Sequence, residues 1–222
     1  MIEWTNIEQN TDEWLDMRVG LITSSGVGKI MANMGKDFGD PAKRYAIQLA
    51  RERITGTRST SGRIYTSDMK RGDEMEPIAR NKYEEYYLEH HGDFIEARPG
   101  GFFKLGILGD SPDSIIGNPP EDVEGVLEIK CPGDEEHYKA VTGKLKYGYP
   151  PQYRHQINHH LLCTGAKWCD FVSYNPDFGP ELELYVYRVV PDERQMQDMK
   201  DRIAAFVRYV KDIEKELKKA MS

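Results

Sequence analysis

Apolar positions recur along this chain with two different periods. Spacings of three and four predict helices over 12–19, from Thr23 or Ser24 to 32, and over 41–55, 67–91, 150–163 and 192–219. In the third of these Tyr45, Leu49 and Ile54 point inward and the arginines lie on the other face. In the fourth, Ile78, Tyr83 and Tyr86 form the apolar side. Shorter alternating or continuous apolar runs predict strands at 94–97, 102–105, 107–109, 114–116, 126–130, 167–174 and 183–190. The Gly, Ser, Thr and Arg stretch 57–64 predicts a mobile basic loop. No internal repeat, low-complexity tract or Pro-rich linker interrupts the pattern. Helices first, then a sequential set of strands, then helix, strands and helix imply an α/β (α+β) layer fold, a mixed central β-sheet flanked by helices. We expect one domain over 1–222, since a chain of 222 residues suits a single core burying roughly 70 % of its unfolded surface.

Composition narrows the function classes. A hydrophobic fraction of 39 % argues against disorder, and no apolar run approaches the ~20 residues of a membrane span. Residues 1–17 hold Glu3, Glu8, Asp12, Glu13 and Asp16 and no basic residue, the opposite of a secretory leader. Cys131, Cys163 and Cys169 are an odd number at unrelated spacings, which reads as reduced thiols in a cytoplasm. The formal net charge of −7 speaks against an indiscriminate coat of phosphate contacts. The charge is segregated, however. Residues 41–71 carry +6, residues 72–125 carry −9, and residues 139–154 carry +4. Two basic tracks beside an acidic centre leave room for a localised nucleic-acid path.

The acidic centre contains Ser111-Pro112-Asp113, followed by Glu128-Ile129-Lys130. On a strand, Glu128 and Lys130 project from one face while Ile129 points into the core. A hairpin would bring Asp113 beside Glu128, with Asp110 as a competitor for its place. Two carboxylates can hold a hard divalent cation through oxygen. Such a cation lowers the pKa of a bound water and neutralises charge building on a phosphodiester. Lys130 beside that water could orient or deprotonate it, with its own pKa depressed by nearby cations. Glu76 opens the acidic helix and could supply a third carboxylate. Tyr153 and Gln156 lie one helical turn apart, and Gln156 could reach the water or the scissile phosphate.

Taken together, these stretches resemble the phage lambda-type exonucleases, the YqaJ group of viral recombinases within the PD-(D/E)xK nuclease superfamily. The matching residues are Trp14-x-x-x-Arg18-x-Gly20-x-Ile22-Thr23-x-Ser25, Gly72-x-x-x-Glu76, Ser111-Pro112-Asp113, Glu128-Ile129-Lys130-Cys131-Pro132 and Tyr153-x-x-Gln156. They come in the family order. Two features depart from it: Ser114 follows S-P-D where the family often has Gly, and the loop at 118–122 is long.

The resemblance implies a restriction-endonuclease-like core and a particular division of labour. Asp113, Glu128 and the backbone carbonyl of Ile129 would ligate Mg²⁺, with Mn²⁺ as the alternative ion. Glu76 would serve a second ion, Lys130 would act on the attacking water, and Gln156 would contact it. Arg18, Thr23 and Ser25 would bind a 5′-terminal phosphate, which suits a guanidinium fork and hydroxyls at a helix start. The implied activity is 5′→3′ digestion of linear double-stranded DNA from its ends, leaving 3′ overhangs for strand annealing. A ring-shaped homotrimer and a single-strand annealing partner are implied with it, as is a phage- or prophage-encoded enzyme in a bacterial cytoplasm.

Two other classes stay open: a structure-specific or restriction-type endonuclease, and a non-catalytic DNA-end-binding protein. Several motifs carry less. His155 and His159 have a zinc-compatible i, i+4 spacing but lack an accompanying H-E-x-x-H glutamate. Cys131 lacks nucleophile partners and reads as a small residue at a strand end. The tyrosines Tyr83, Tyr86, Tyr87, Tyr185 and Tyr187 read as core. No phosphate-binding G-x-x-x-x-G-K-[ST] loop is present.

Overall fold

The computed structural model describes residues 1–58 and 66–221, without the side chains of 67–69. Most of the basic loop expected at 57–64 lies outside these residues. The N-terminal part comprises β1 (Ile2–Thr5), α1 (Asp12–Met17), β2 (Ile22–Thr23), α2 (Ser24–Met31), α3 (Asp40–Thr55) and α4 (Ser67–His91). Five strands follow: β3 (Arg98–Pro99), β4 (Phe102–Leu105), β5 (Leu108–Asp110), β6 (Ser114–Asn118) and β7 (Asp122–Lys130). The chain closes with α5 (Asp134–Val141), α6 (Arg154–Thr164), β8 (Trp168–Tyr174), β9 (Leu184–Val189) and α7 (Glu193–Ala220). A 3-10 turn at Pro151–Tyr153 leads into α6.

The strands form two mixed sheets, in the orders β1-β4-β5-β2 and β3-β6-β7-β8-β9. In the larger sheet β6 and β7 are an antiparallel hairpin, with Ser114 opposite Leu127. β7 and β8 run parallel, and α5 and α6 lie in the long crossover that parallel pairing requires. Alternation along β7 sorts its side chains between two cores. Leu127 and Ile129 pack with Ala79 and Tyr83 of α4, whereas Val126 packs with Ile157 and Leu161 of α6. Glu128 and Lys130 therefore share the α6 face, as the two-residue period requires. A third core joins α2, α3 and α7.

Several elements differ from expectation. β1, β2 and α5 emerge where none was predicted. The strand expected at 94–97 is instead the two-residue β3, and Phe94 is 72 % exposed. Ile78 is exposed, and Ala79 takes the buried position beside Tyr83. Ile54 is half-buried, whereas its neighbour Glu52 is buried and accepts the Gly20 N–H at 2.9 Å. Arg53 is not on a free solvent face: its Nε donates to Gly20 O at 2.8 Å. The tyrosines are not uniformly core, since Tyr83 is buried but Tyr187 is exposed. No helix among the described residues is long and apolar enough to cross a membrane.

Candidate active site

The S-P-D loop joins β5 to β6 and is tied down from the N-terminal segment. Trp14 Nε1 donates to Ser111 Oγ at 2.8 Å, and Gln9 Nε2 donates to Pro112 O at 2.9 Å. A Cβ on Gly100 would stand 1.8 Å from Pro112 O, so only glycine permits this approach. The loop delivers Asp113 to the start of the β6–β7 hairpin. Its N–H donates to Leu127 O at 3.1 Å, and its Oδ2 accepts the Ile129 N–H at 2.6 Å. Asp113 thus lies beside Glu128, as the hairpin reading expects.

Lys130 reaches back over this pair. Its ammonium is 3.5 Å from Asp113 Oδ2, donates to Ile129 O at 2.9 Å, and forms an ion pair with Glu128 Oε1. It also sits over the Tyr153 ring at 5.4 Å. One cation therefore touches the three oxygens that the sequence motif marks for a metal. Glu128 is fully buried, and the partner of its Oε1 is the Lys130 ammonium. A stand-in cation seated on a set of hard oxygens, Glu128 Oε1 among them, fits a divalent ion. No group of three His, Cys, Asp or Glu side chains among the described residues makes a ready cage. The Ile129 carbonyl, or Glu76 from α4, would have to complete the set.

Glu76 is placed by Arg80, which donates to Glu76 Oε1 at 2.6 Å, to Ser114 Oγ at 2.7 Å and to Asp113 O at 3.2 Å. The serine that departs from the family pattern is thus an anchor for α4. Crowding of acids is visible in their proton affinities. Burial, then the charge of Asp113, pushes Glu76 up to about 8. Burial also raises Asp113, outweighing Lys130. Burial alone would raise Glu128, but Lys130 and His160 hold it below the usual carboxylate range. Lys130 is raised, not depressed: burial opposes its charge, and Asp113 and Glu128 overcome burial. The expected depression needs cations, and the neighbours in the protein itself are carboxylates.

Gln156 lines the cleft, and its Nε2 donates to Glu128 Oε2 at 3.0 Å. The same oxygen lies 2.7 Å from His160 Nε2, one turn further along α6. His160 Nδ1 in turn meets both oxygens of Asp110 at 2.9 Å. His159, weighed as a zinc ligand, is instead buried with Nδ1 3.2 Å from Asp110 Oδ1. Burial would lower His160, but the charge of Asp110 carries it up to about 10. Asp110 is an anchor for these histidines rather than a rival to Asp113. Sequence reasoning weighed Asp110 only as a rival ligand, and it missed His160 and Arg80. The i, i+4 spacing of Gln156 and His160 was the available signal.

The second group forms at the start of α2. Thr23 is the N-cap residue but makes no side-chain cap bond, and its Oγ1 lies 3.2 Å from Ser25 Oγ. Arg18, the C-cap of α1, donates to Ser25 Oγ at 3.3 Å and stacks over Trp14 at 4.1 Å. Tyr45 OH accepts the Thr23 N–H at 3.1 Å and donates to Leu21 O at 3.3 Å, which fixes the turn into α2. Gly26 leaves room for that hydroxyl, since a Cβ there would lie 2.4 Å from it. A cavity of about 1000 Å³ is lined by Arg18, Ser24 and Ser25 and also by Glu76, Asp113 and Gln156. Arg18 and Ser25 thus open into the same cleft as Glu76 and Asp113.

A model of the YqaJ-like viral recombinase domain matches residues 13–167. The chain belongs to this family. Among solved structures, an alkaline exonuclease (LHK-Exo) from Laribacter hongkongensis is 27 % identical, with a TM-score of 0.76, covering 95 % of this chain and 98 % of that one. The same exonuclease in complex with dAMP superposes at 0.75. A phage-related exonuclease from Haemophilus somnus 129PT shares the fold at 16 % identity, with a TM-score of 0.60 and coverage of 91 % and 96 %. No curated protein matches the chain. Family and fold place it among the nucleases, and the two mixed sheets flanked by helices are the exonuclease fold of these neighbours.

Proposed function

We propose that the protein is a metal-dependent 5′→3′ exodeoxyribonuclease that digests the 5′-ended strand of linear duplex DNA and leaves 3′ overhangs for annealing. The observation that carries this is the single cleft shared by Arg18 and Ser25 with Asp113 and Glu76. A terminal phosphate held by Arg18, Ser25 and Thr23 would put the first phosphodiester over the carboxylates. The end then selects the bond. The dAMP complex of the Laribacter exonuclease supports the reading, because a deoxynucleoside monophosphate is what stepwise cleavage of a strand releases.

In this reading Asp113, Glu128 and the Ile129 carbonyl hold one Mg²⁺ or Mn²⁺, and Glu76 serves a second. When bound, the metal supplies Lewis-acid neutralisation of phosphate charge and a more acidic water. The chain supplies the rest. Arg18 gives a planar fork for phosphate oxygens. Lys130 is an ammonium, so it donates: it orients the attacking water and offsets the charge growing on phosphorus. Gln156 steadies Glu128 from its α6 side. In the same reading the exposed Lys144 and Lys146, of the basic segment 139–154, contact the DNA backbone. We extend the reading to a homotrimer whose closed symmetry would encircle the duplex, and to a single-strand annealing protein that receives the overhang.

The test is digestion of linear duplex labelled at either terminus, with and without a 5′-phosphate, beside a covalently closed circle. Wild type is expected to release mononucleotides from the 5′ end in Mg²⁺ and to leave the circle intact. Lys130→Ala is expected to bind DNA and release none. Cleavage of the circle would turn the assignment to an endonuclease, and binding without cleavage would turn it to an end-binding protein.

A further inference from the structure

Asp110, His160 and Glu128 form a line of three side chains that are all fully buried. Asp110 ends β5, His160 lies on α6 and Glu128 lies on β7. Both ring nitrogens of His160 face carboxylate oxygens. Nδ1 is 2.9 Å from each oxygen of Asp110, and Nε2 is 2.7 Å from Glu128 Oε2. With acceptors on both sides, both nitrogens donate. The two contacts fix the imidazole plane, and His159 Nδ1 at 3.2 Å holds Asp110 from a third direction.

The two oxygens of Glu128 are consequently unequal. Oε2 lies against His160 and accepts from Gln156 at 3.0 Å. Oε1 lies on the other side and meets the Lys130 ammonium. Turning the carboxylate would strand the buried His160 N–H and take the half-buried Gln156 amide off its acceptor. We propose that Asp110 and His160 are positioning residues that hold Glu128 so that it presents one oxygen, Oε1, to the metal. Neither residue lies in the stretches that carry the family motifs. The inference rests on the reading of Glu128 as a metal ligand. Outer carboxylate–histidine pairs of this kind orient ligands in metal sites generally.

The experiment measures Mn²⁺ binding to the full chain without DNA, from the electron paramagnetic resonance of free Mn²⁺. The variants are His160→Ala, His160→Gln, Asp110→Asn and, as a control, Glu128→Gln. Urea unfolding in EDTA confirms that each variant is folded. His160→Ala is expected to weaken Mn²⁺ binding about 10–100-fold. His160→Gln, whose amide can still donate to Oε2, recovers part of that loss. Asp110→Asn turns an amide N–H toward His160 and weakens binding in the same direction. DNA affinity in EDTA stays at the wild-type value, which separates positioning from general disruption. If His160→Ala shows no cooperative transition, His160→Gln and Asp110→Asn decide the matter. Folded variants that bind Mn²⁺ as wild type does, while Glu128→Gln binds weakly, overturn the positioning role alone. If Glu128→Gln binds as wild type does, or wild type binds none, the ligand reading falls and this inference with it.

Discussion

Trp14 and Ser111 are 97 residues apart in sequence, and the indole N–H of one donates to the hydroxyl of the other at 2.8 Å. The bond is buried and joins the two halves of the cleft. On one side the Trp14 ring carries Arg18 at 4.1 Å; on the other, Ser111 begins the loop that delivers Asp113. Trp14→Phe keeps a ring under Arg18 but leaves the Ser111 hydroxyl without its donor. We expect a loss of about 1–3 kcal/mol in urea unfolding, the cost of a stranded buried polar group. The 5′-phosphate preference should fall less than in an Arg18 variant. A Trp14→Phe protein with an unchanged urea midpoint would show that the bond does not couple the two parts.

Arg18 is the charged donor of the proposed phosphate pocket. A hydrogen bond to a charged group is worth about 1.5–3 kcal/mol, so Arg18→Ala should lower the preference for 5′-phosphorylated over 5′-hydroxyl ends by roughly ten- to a hundredfold. The measurement is the ratio of initial rates on the two substrates. Digestion of the 5′-hydroxyl end should change little. A ratio equal to that of wild type would remove Arg18 from the pocket.

The parts of this site that could be read in the sequence are those set by local geometry. Glu128 and Lys130 share a face because a strand repeats every two residues, and Asp113 joins them because a hairpin follows. The long α4 was legible to its ends, and its inward face in part: Tyr83 is buried as expected, but Ile78 follows Pro77 on the exposed side and Ala79 is buried in its place. The short elements β1 and β2, of four and two residues, offer too few positions for a period to declare itself. α5 did carry a signal, Gly133 followed by Asp134, Glu135 and Glu136 in the first turn. The Asp110–His160 pair was illegible for a different reason. It exists only because α6 lies across both sheets, an arrangement made by long-range packing of Ile157 and Leu161.

His137 gives a pH signature away from the carboxylate cluster. It is buried on α5, with Nε2 2.8 Å from Leu182 O and Nδ1 2.9 Å from Ser173 Oγ. The carbonyl can only accept, so Nε2 carries the proton and Nδ1 accepts from the serine. Burial lowers the pKa of His137 from its ordinary 6.5, outweighing the Leu182 bond and the charge of Asp134. Folding therefore favours the neutral ring. Its contribution to stability is present above the unfolded pKa of about 6.5 and is lost as pH falls through the lower folded value. His137→Gln should be less stable than wild type at pH 7.5, with the difference shrinking toward pH 5. Denaturant midpoints across that range check it, and a difference that grows on acidification would contradict the assignment.

Lys130 has two consequences that point in opposite directions. Its ammonium is 3.5 Å from Asp113 Oδ2, donates to Ile129 O at 2.9 Å and pairs with Glu128. These are the oxygens proposed for the metal, so the ammonium and a divalent ion compete for them. Lys130→Met removes the competitor, keeps much of the packing against Tyr153, and leaves Asp113 and Glu128 without the ammonium between them. Two neighbouring carboxylates without that charge between them should take up an ion more readily. We expect Mn²⁺ to bind roughly tenfold more tightly, about 1.4 kcal/mol, while release of nucleotides from DNA ends is abolished. A loss of function with a gain in metal affinity separates a residue that acts on the reacting water from one that merely helps to build the site. Weaker Mn²⁺ binding in Lys130→Met would show that the lysine organises the oxygens instead of contesting them.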